Sequence, residues 1–262
     1  MNRGLQINFN LRWLLISGLL TTMITAQPAS AEATMAVDSD VQTPVEPGTH
    51  DLSIDTESGT LRYTVHVPQR LTQDGNQALI LVLHYGGQAS GFYGRLLIEQ
   101  LVLPAFGELN AIIVAPVTMG GDWSNPGNEK AIFALLSTLE VAYSTNPRQR
   151  LITGYSMGGM GTWHLIARHT DYFSAAISIS GFTAIDPKLC ETPIYALHSR
   201  ADSIFDADKL QSEIDKLVAA GCDAQVDYIE GIDHFDIPAF APMLKATLPW
   251  VQNLWAREPK AQ

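Results

Sequence analysis

Residues 150–164 limit the possible folds more than any other stretch of this chain. Arg150 to Thr153 form an apolar, strand-like approach to Gly154-Tyr155-Ser156-Met157-Gly158, and a helical pattern continues through Gly159 to His164. A strand that turns directly into a helix needs glycine on both sides of the corner residue. The corner strains the backbone at Ser156, and a Cβ on either flank would meet the neighbouring strand or helix. The serine hydroxyl is thereby lifted above the sheet at a helix N-terminus, where developing negative charge is favoured. Ser156 is the candidate nucleophile.

The rest of the chain alternates in the same way. Asp51–Thr56 and Thr60–Val67 flank a Ser58-Gly59 turn and predict a hairpin. Leu79–Leu83 is an unbroken apolar run, the pattern of a strand buried on both faces. A helix is expected near Tyr93–Leu109, then a strand at Ala111–Ala115, a helix at Glu129–Tyr143 and the strand Gln149–Gly154. After the helix Met157–His169, strands are expected at Ala175–Ser180, Ile194–His198 and Gln225–Ile229, with helices near 206–220 and 240–256. Strands alternating with helices predict an α/β fold, a mostly parallel central sheet with helices on both faces.

The first residues read differently. Arg3 and Arg12 flank the uncharged, mostly apolar run Trp13–Ala26, and Ala29, Ser30 and Ala31 make a small-residue cleavage site. Residues 1–31 are therefore expected to be an export signal, with Glu32 starting a secreted or periplasmic mature chain. An uncleaved anchor is the alternative, for which the run is short. Residues 32–50 mix proline, acids and small residues without periodicity and predict a flexible leader. Residues 51–262 then form one domain.

A serine needs a base and an orienting acid. His234 follows the last predicted strand, and no other histidine follows His198. Asp202 stands just past the strand ending at His198, at the carboxyl edge where open α/β sheets place their sites. Asp206 and Asp236 are rivals, but Asp206 is expected to cap the next helix and Asp236 to begin the last connection. For the oxyanion, one donor is the Met157 N–H. The second comes from the loop His84-Tyr85-Gly86-Gly87, with Gly86 preferred and Tyr85 its rival. Trp123 and Tyr155 are candidate substrate contacts, Trp123 having an equally good reading as a packing residue. His164 and His169 read as structural or exposed.

The segments LHYGGQ, GYSMGGMGTW, HSRAD and GIDH, in this order, resemble the α/β-hydrolase superfamily. More narrowly the chain looks like its esterase branch, which includes phospholipase/carboxylesterases, feruloyl-esterase-like and polyhydroxybutyrate-depolymerase-like enzymes, and predicted secreted peptidases. The likeness spans about residues 60–255 and implies a Ser156–Asp202–His234 triad working without a cofactor. In one place the chain departs from that pattern. Such enzymes usually carry His-Gly where this one has His84-Tyr85, which leaves the second oxyanion donor open.

Net charge excludes some partners. The chain carries −11, and removal of residues 1–31 with their two arginines takes it to −13. Such a surface repels phosphate backbones and anionic headgroups, so nucleic acid is not expected as a partner, nor is stable membrane insertion after signal cleavage. Cys190 and Cys222 each precede a predicted strand at the edge away from the site, and they read either as a disulfide or as two buried thiols. No His, Asp or Cys cluster has metal-ligand spacing. Residues 181–193 are too few to hold the helical lid of many lipases, so the site should be open. The expected activity is hydrolysis of carboxylic esters. A prolyl-oligopeptidase-like peptidase and a non-catalytic binding module are the alternatives.

Overall fold

The computed structural model describes residues 44–72, 75–87 and 90–257. The expected signal 1–31 and leader residues 32–43 lie outside this range. Eight strands form one sheet: β1 (Gly48–Thr56), β2 (Gly59–Val67), β3 (Gln77–Leu83), β4 (Ile112–Pro116), β5 (Thr145–Tyr155), β6 (Ala175–Ile179), β7 (Ile194–Ser199) and β8 (Ala224–Ile229). Their order is β1-β2-β4-β3-β5-β6-β7-β8. The β1–β2 hairpin and the β2–β4 pair are antiparallel, and every other pairing is parallel.

The helices are α1 (Arg95–Leu97), α2 (Leu103–Phe106), α3 (Pro126–Tyr143), α4 (Met157–Arg168), α5 (Ala207–Ala219), α6 (Ala241–Ala246) and α7 (Leu248–Ala256). They cover both faces of the sheet. One apolar layer packs α3, α4 and α5 on it through Leu135, Trp163, Ile166 and Ile214; the other packs the segments around α1, α2, α6 and α7 through Ile98, Phe106, Phe240 and Val251. All seven residues of β3 are buried, as a strand covered on both sides must be.

Three segments differ from the sequence expectation. β1 begins at Gly48 and not at Asp51, and Val45 N–H donates to Tyr143 Oη, so the end of the leader is already part of the fold. Gly48–His50 pair with β2 residues that are distant in sequence, and this leaves no local pattern. The helix expected at Tyr93–Leu109 is broken: a π-helical turn, Ile98–Val102, separates α1 from α2, and a 3-10 turn, Gly107–Leu109, closes the segment. Pro104 has no N–H to give the Gln100 carbonyl, and the wide turn stands just ahead of it. The last helix is likewise divided at Thr247, with Pro249 in the first turn of α7.

Candidate active site

Ser156 stands between β5 and α4 with φ 55° and ψ −115°, a conformation that L-residues rarely adopt. Its N–H donates to Ile179 O at 2.9 Å, which ties the corner to the end of β6. A Cβ on Gly158 would lie 2.0 Å from Leu83 O, so only glycine lets α4 start this close to β3. Gly181 performs the same service from the other side, since its Cβ would lie 2.0 Å from Ser156 O. Gly181 was not singled out in the sequence; a Ser-Gly pair closing a strand is its only local sign.

The carboxyl ends of β5, β7 and β8 bring together the three residues expected to form the triad. His234 Nε2 lies 2.8 Å from Ser156 Oγ, and His234 Nδ1 lies 2.8 Å from Asp202 Oδ2. A carboxylate can only accept, so Nδ1 carries the ring proton and the Nε2 lone pair faces the serine hydroxyl. The Asp202 side chain is 0% exposed and that of His234 5%. Burial alone would raise the Asp202 carboxyl, but N–H donation from Phe205 and Ile204 to Oδ1, both at 2.8 Å, and the bond from His234 hold it below its ordinary value. The buried carboxylate thus stays charged and can stabilise an imidazolium.

The loops that carry Asp202 and His234 are braced from beneath. His198 Nε2 donates to Phe205 O at 2.9 Å, fixing the turn that holds Asp202. Ser199 Oγ donates to Ile232 O at 2.5 Å, and Tyr155 Oη donates to the His234 carbonyl. The Tyr155 ring is buried, and burial pushes its hydroxyl far above the ordinary tyrosine range. Its hydroxyl supports the His234 loop while the residue also lines the cavity beside Ser156. Asp206 caps α5 through Asp208 and Lys209 N–H, and Asp236 is exposed at the start of the 3-10 turn Ile237–Phe240.

Gly86 faces Met157 across the corner: a Cβ on Gly86 would stand 3.8 Å from Met157 Cβ. Tyr85 lines the cavity over Ser156, packed on Tyr93 at 5.0 Å between ring centroids. That cavity has a volume of about 450 Å³ and is also walled by Ile204, Phe235 and Ile237. Phe235 is 74% exposed at its mouth. The connection over residues 181–193 holds only the 3-10 turn Pro187–Leu189.

Residues 68–243 match the dienelactone hydrolase family. The chain belongs to that family. Among solved structures it is similar to a thermostable esterase, with 20% identity and TM-score 0.62 over 78% of this chain and 62% of that one. It therefore spans less than two thirds of that esterase. It is also similar to a ferulic acid esterase (18% identity, TM-score 0.66, covering 80% of this chain and 100% of that one). The S-formylglutathione hydrolase of Staphylococcus aureus is a further neighbour, at 16% identity and TM-score 0.61 over 80% of this chain and 98% of that one. At these identities the neighbours share the fold, which is the α/β-hydrolase architecture. No curated protein matches the sequence. Membership places the chain in a family of hydrolases.

Trp123 is turned inward. It is 1% exposed, its Nε1–H donates to His84 O at 2.9 Å, and α4 packs on it at Gly161. His84 is the hub of this corner, with Nδ1 donating to Tyr85 O at 2.7 Å and Nε2 accepting from Thr118 N–H at 3.1 Å. Both ring nitrogens are used by a neutral imidazole, and burial keeps its pKa below the ordinary value. His169 and Arg168 bind Glu129 and fasten α4 to α3. Cys190 and Cys222 are free thiols, and burial, with a hydrogen bond to Cys222, pushes the Cys190 thiol up to about 12. Among the described residues no group is arranged to hold a metal ion, and no helix is long and apolar enough to cross a membrane.

Proposed function

We propose that this chain cleaves carboxylic esters by acyl transfer through Ser156. The observation that carries the reading is the unbroken chain Asp202 Oδ2–His234 Nδ1 and His234 Nε2–Ser156 Oγ, each link 2.8 Å. His234 takes the hydroxyl proton as Ser156 Oγ attacks the ester carbonyl. The N–H groups of Met157 and Gly86 face the oxyanion, and Asp202 stabilises the imidazolium. The imidazolium returns its proton to the leaving alkoxide. A water molecule, deprotonated by the same nitrogen, then hydrolyses the acyl-enzyme. No step needs a cofactor.

An apolar cavity over Ser156, without a lid element in residues 181–193, favours soluble esters or exposed polymer ends over lipid droplets. The rate is expected to rise smoothly through the critical micelle concentration of the substrate, and an abrupt jump there would contradict an open site. The test of the main reading is labelling by a fluorophosphonate probe and hydrolysis of short-chain p-nitrophenyl esters, both lost in Ser156→Ala. Cleavage of peptide amides alone would make the chain a peptidase. A folded protein that neither labels nor turns over would make it a binding module. Export belongs to the same proposal, and its check is N-terminal sequencing of the extracytoplasmic protein, expected to begin at Glu32.

A further inference from the structure

A second cavity, of about 300 Å³, is lined by Met157, the residue that also faces Gly86. Met157, Met160 and Trp123 give it apolar surface, and Asp122, Ser124 and Thr183 give it polar groups. Its volume is at the small end of ligand-sized sites. The first cavity, holding Ser156 and His234, offers Tyr85, Ile204, Phe235 and Ile237. Both spaces are mainly apolar, and each takes in one of the two residues whose N–H groups are assigned to the oxyanion, Gly86 in the first and Met157 in the second.

The polar part of the second cavity has hydrogen-bonding capacity to spare. Asp122 Oδ1 accepts from Ser124 N–H at 2.9 Å and Ser124 Oγ at 2.6 Å, while Oδ2 bonds to no other described residue. The two bonds from Ser124 hold the carboxyl below its ordinary value. The Thr183 hydroxyl has no partner among the described residues, and it lies in the short connection after β6. His164 Nε2 is enclosed and turned to Glu129 Oε2 at 3.5 Å, so that nitrogen is closed to a ligand in the cavity. A carboxylate that accepts and a hydroxyl that does both, in a cavity also lined by two methionines, suit a compact group with C–H surface and several hydroxyls. No lysine or arginine lines the cavity, so nothing there neutralises an anion.

We propose that this second cavity binds the alcohol portion of the ester, and that this portion is a polyol of about one small ring or a glycerol unit. The proposal rests on the ester-hydrolase reading above. With the carbonyl at Met157 and Gly86, the acyl chain occupies the first cavity and the alcohol lies across Met157, its hydroxyls donating to Asp122 and exchanging bonds with Thr183. Asp122 and Thr183 are then specificity residues, with no part in proton transfer.

The experiment compares three butyrate esters with a common acyl group: monobutyrin, ethyl butyrate and butyrylcholine. Wild type is expected to favour monobutyrin over ethyl butyrate by about tenfold or more in kcat/KM, chiefly through KM. Thr183→Val keeps the side-chain shape and removes the hydroxyl, and Asp122→Asn keeps the shape and removes the charge. Each is expected to lower the monobutyrin-to-ethyl ratio about tenfold, the change expected from one lost hydrogen bond of this kind. Should Asp122→Asn misfold through loss of its Ser124 bonds, Thr183→Val still decides. An unchanged ratio in Thr183→Val, or butyrylcholine outranking monobutyrin in wild type, overturns the assignment while leaving the ester reading intact. Absence of Ser156-dependent hydrolysis of all three esters overturns the ester reading itself.

Discussion

Ser156 is held at φ 55° by neighbours that leave it no alternative, and residues in such conformations carry about 1–3 kcal/mol of strain. Gly181 is one of those neighbours. Gly181→Ala would drive a methyl group to within 2.0 Å of Ser156 O, and either the corner moves or β6 does. The expected outcome is a loss of at least about 3 kcal/mol in denaturant unfolding, together with slower fluorophosphonate labelling of the protein that remains folded. At Asp202 the chemistry is more specific. Asn at this position can donate an N–H to His234 Nδ1, which turns the ring proton towards Ser156 and removes the base. Asp202→Asn should keep the fold and lower kcat by about 10⁴-fold, read by steady-state ester hydrolysis. The clustering of Ser156, Asp202 and His234 was legible, because each depends on a position relative to a strand end. Gly181 and Thr183 were not, because their importance comes from what lies across space.

At the level of elements, the loops around the site are joined by a few buried polar bonds. His84 binds the Tyr85 carbonyl and the Thr118 N–H, and its own carbonyl receives the Trp123 indole. Trp123→Phe leaves that carbonyl buried without a donor and should cost about 1–3 kcal/mol of stability, measured by urea denaturation. Strand and helix identity were readable wherever the apolar period was long, as in β3 and α4. Breaks were harder to see. Pro104 and Pro249 show that a helix is disturbed, but not whether the chain answers with a π turn, a 3-10 turn or a new helix. Trp123 has two sequence readings, packing and substrate contact, and its indole N–H binds His84 O while the residue also lines the second cavity.

For the molecule as a whole, acidification acts through its buried imidazoles. Burial lowers the pKa of His84 and His198 from the ordinary 6.5. Below 6.5 the unfolded chain binds protons at these sites that the folded chain refuses. Their contribution is full above that value and is lost as pH falls towards the lowered native values. Asp202 adds a second loss at lower pH, because its carboxyl is held below the ordinary 3.8. The urea midpoint should therefore decline from about pH 6.5 downward, then again as pH falls through the depressed Asp202 value. His84→Gln should be less stable at pH 8 but show a flatter upper decline. A flat profile from pH 8 to 5 would contradict buried neutral histidines.

The order of the sheet also has a consequence for timing. Ser156 lies at the end of β5, Asp202 follows β7, and His234 follows β8, the edge strand paired with β7. A chain emerging from synthesis can therefore build its strained corner, pack α4 and set out Asp202 while it still has nothing to take the serine proton. On the proposed mechanism, reactivity waits for the pairing of β8 with β7. Partly made or partly unfolded molecules are then expected to be silent towards esters.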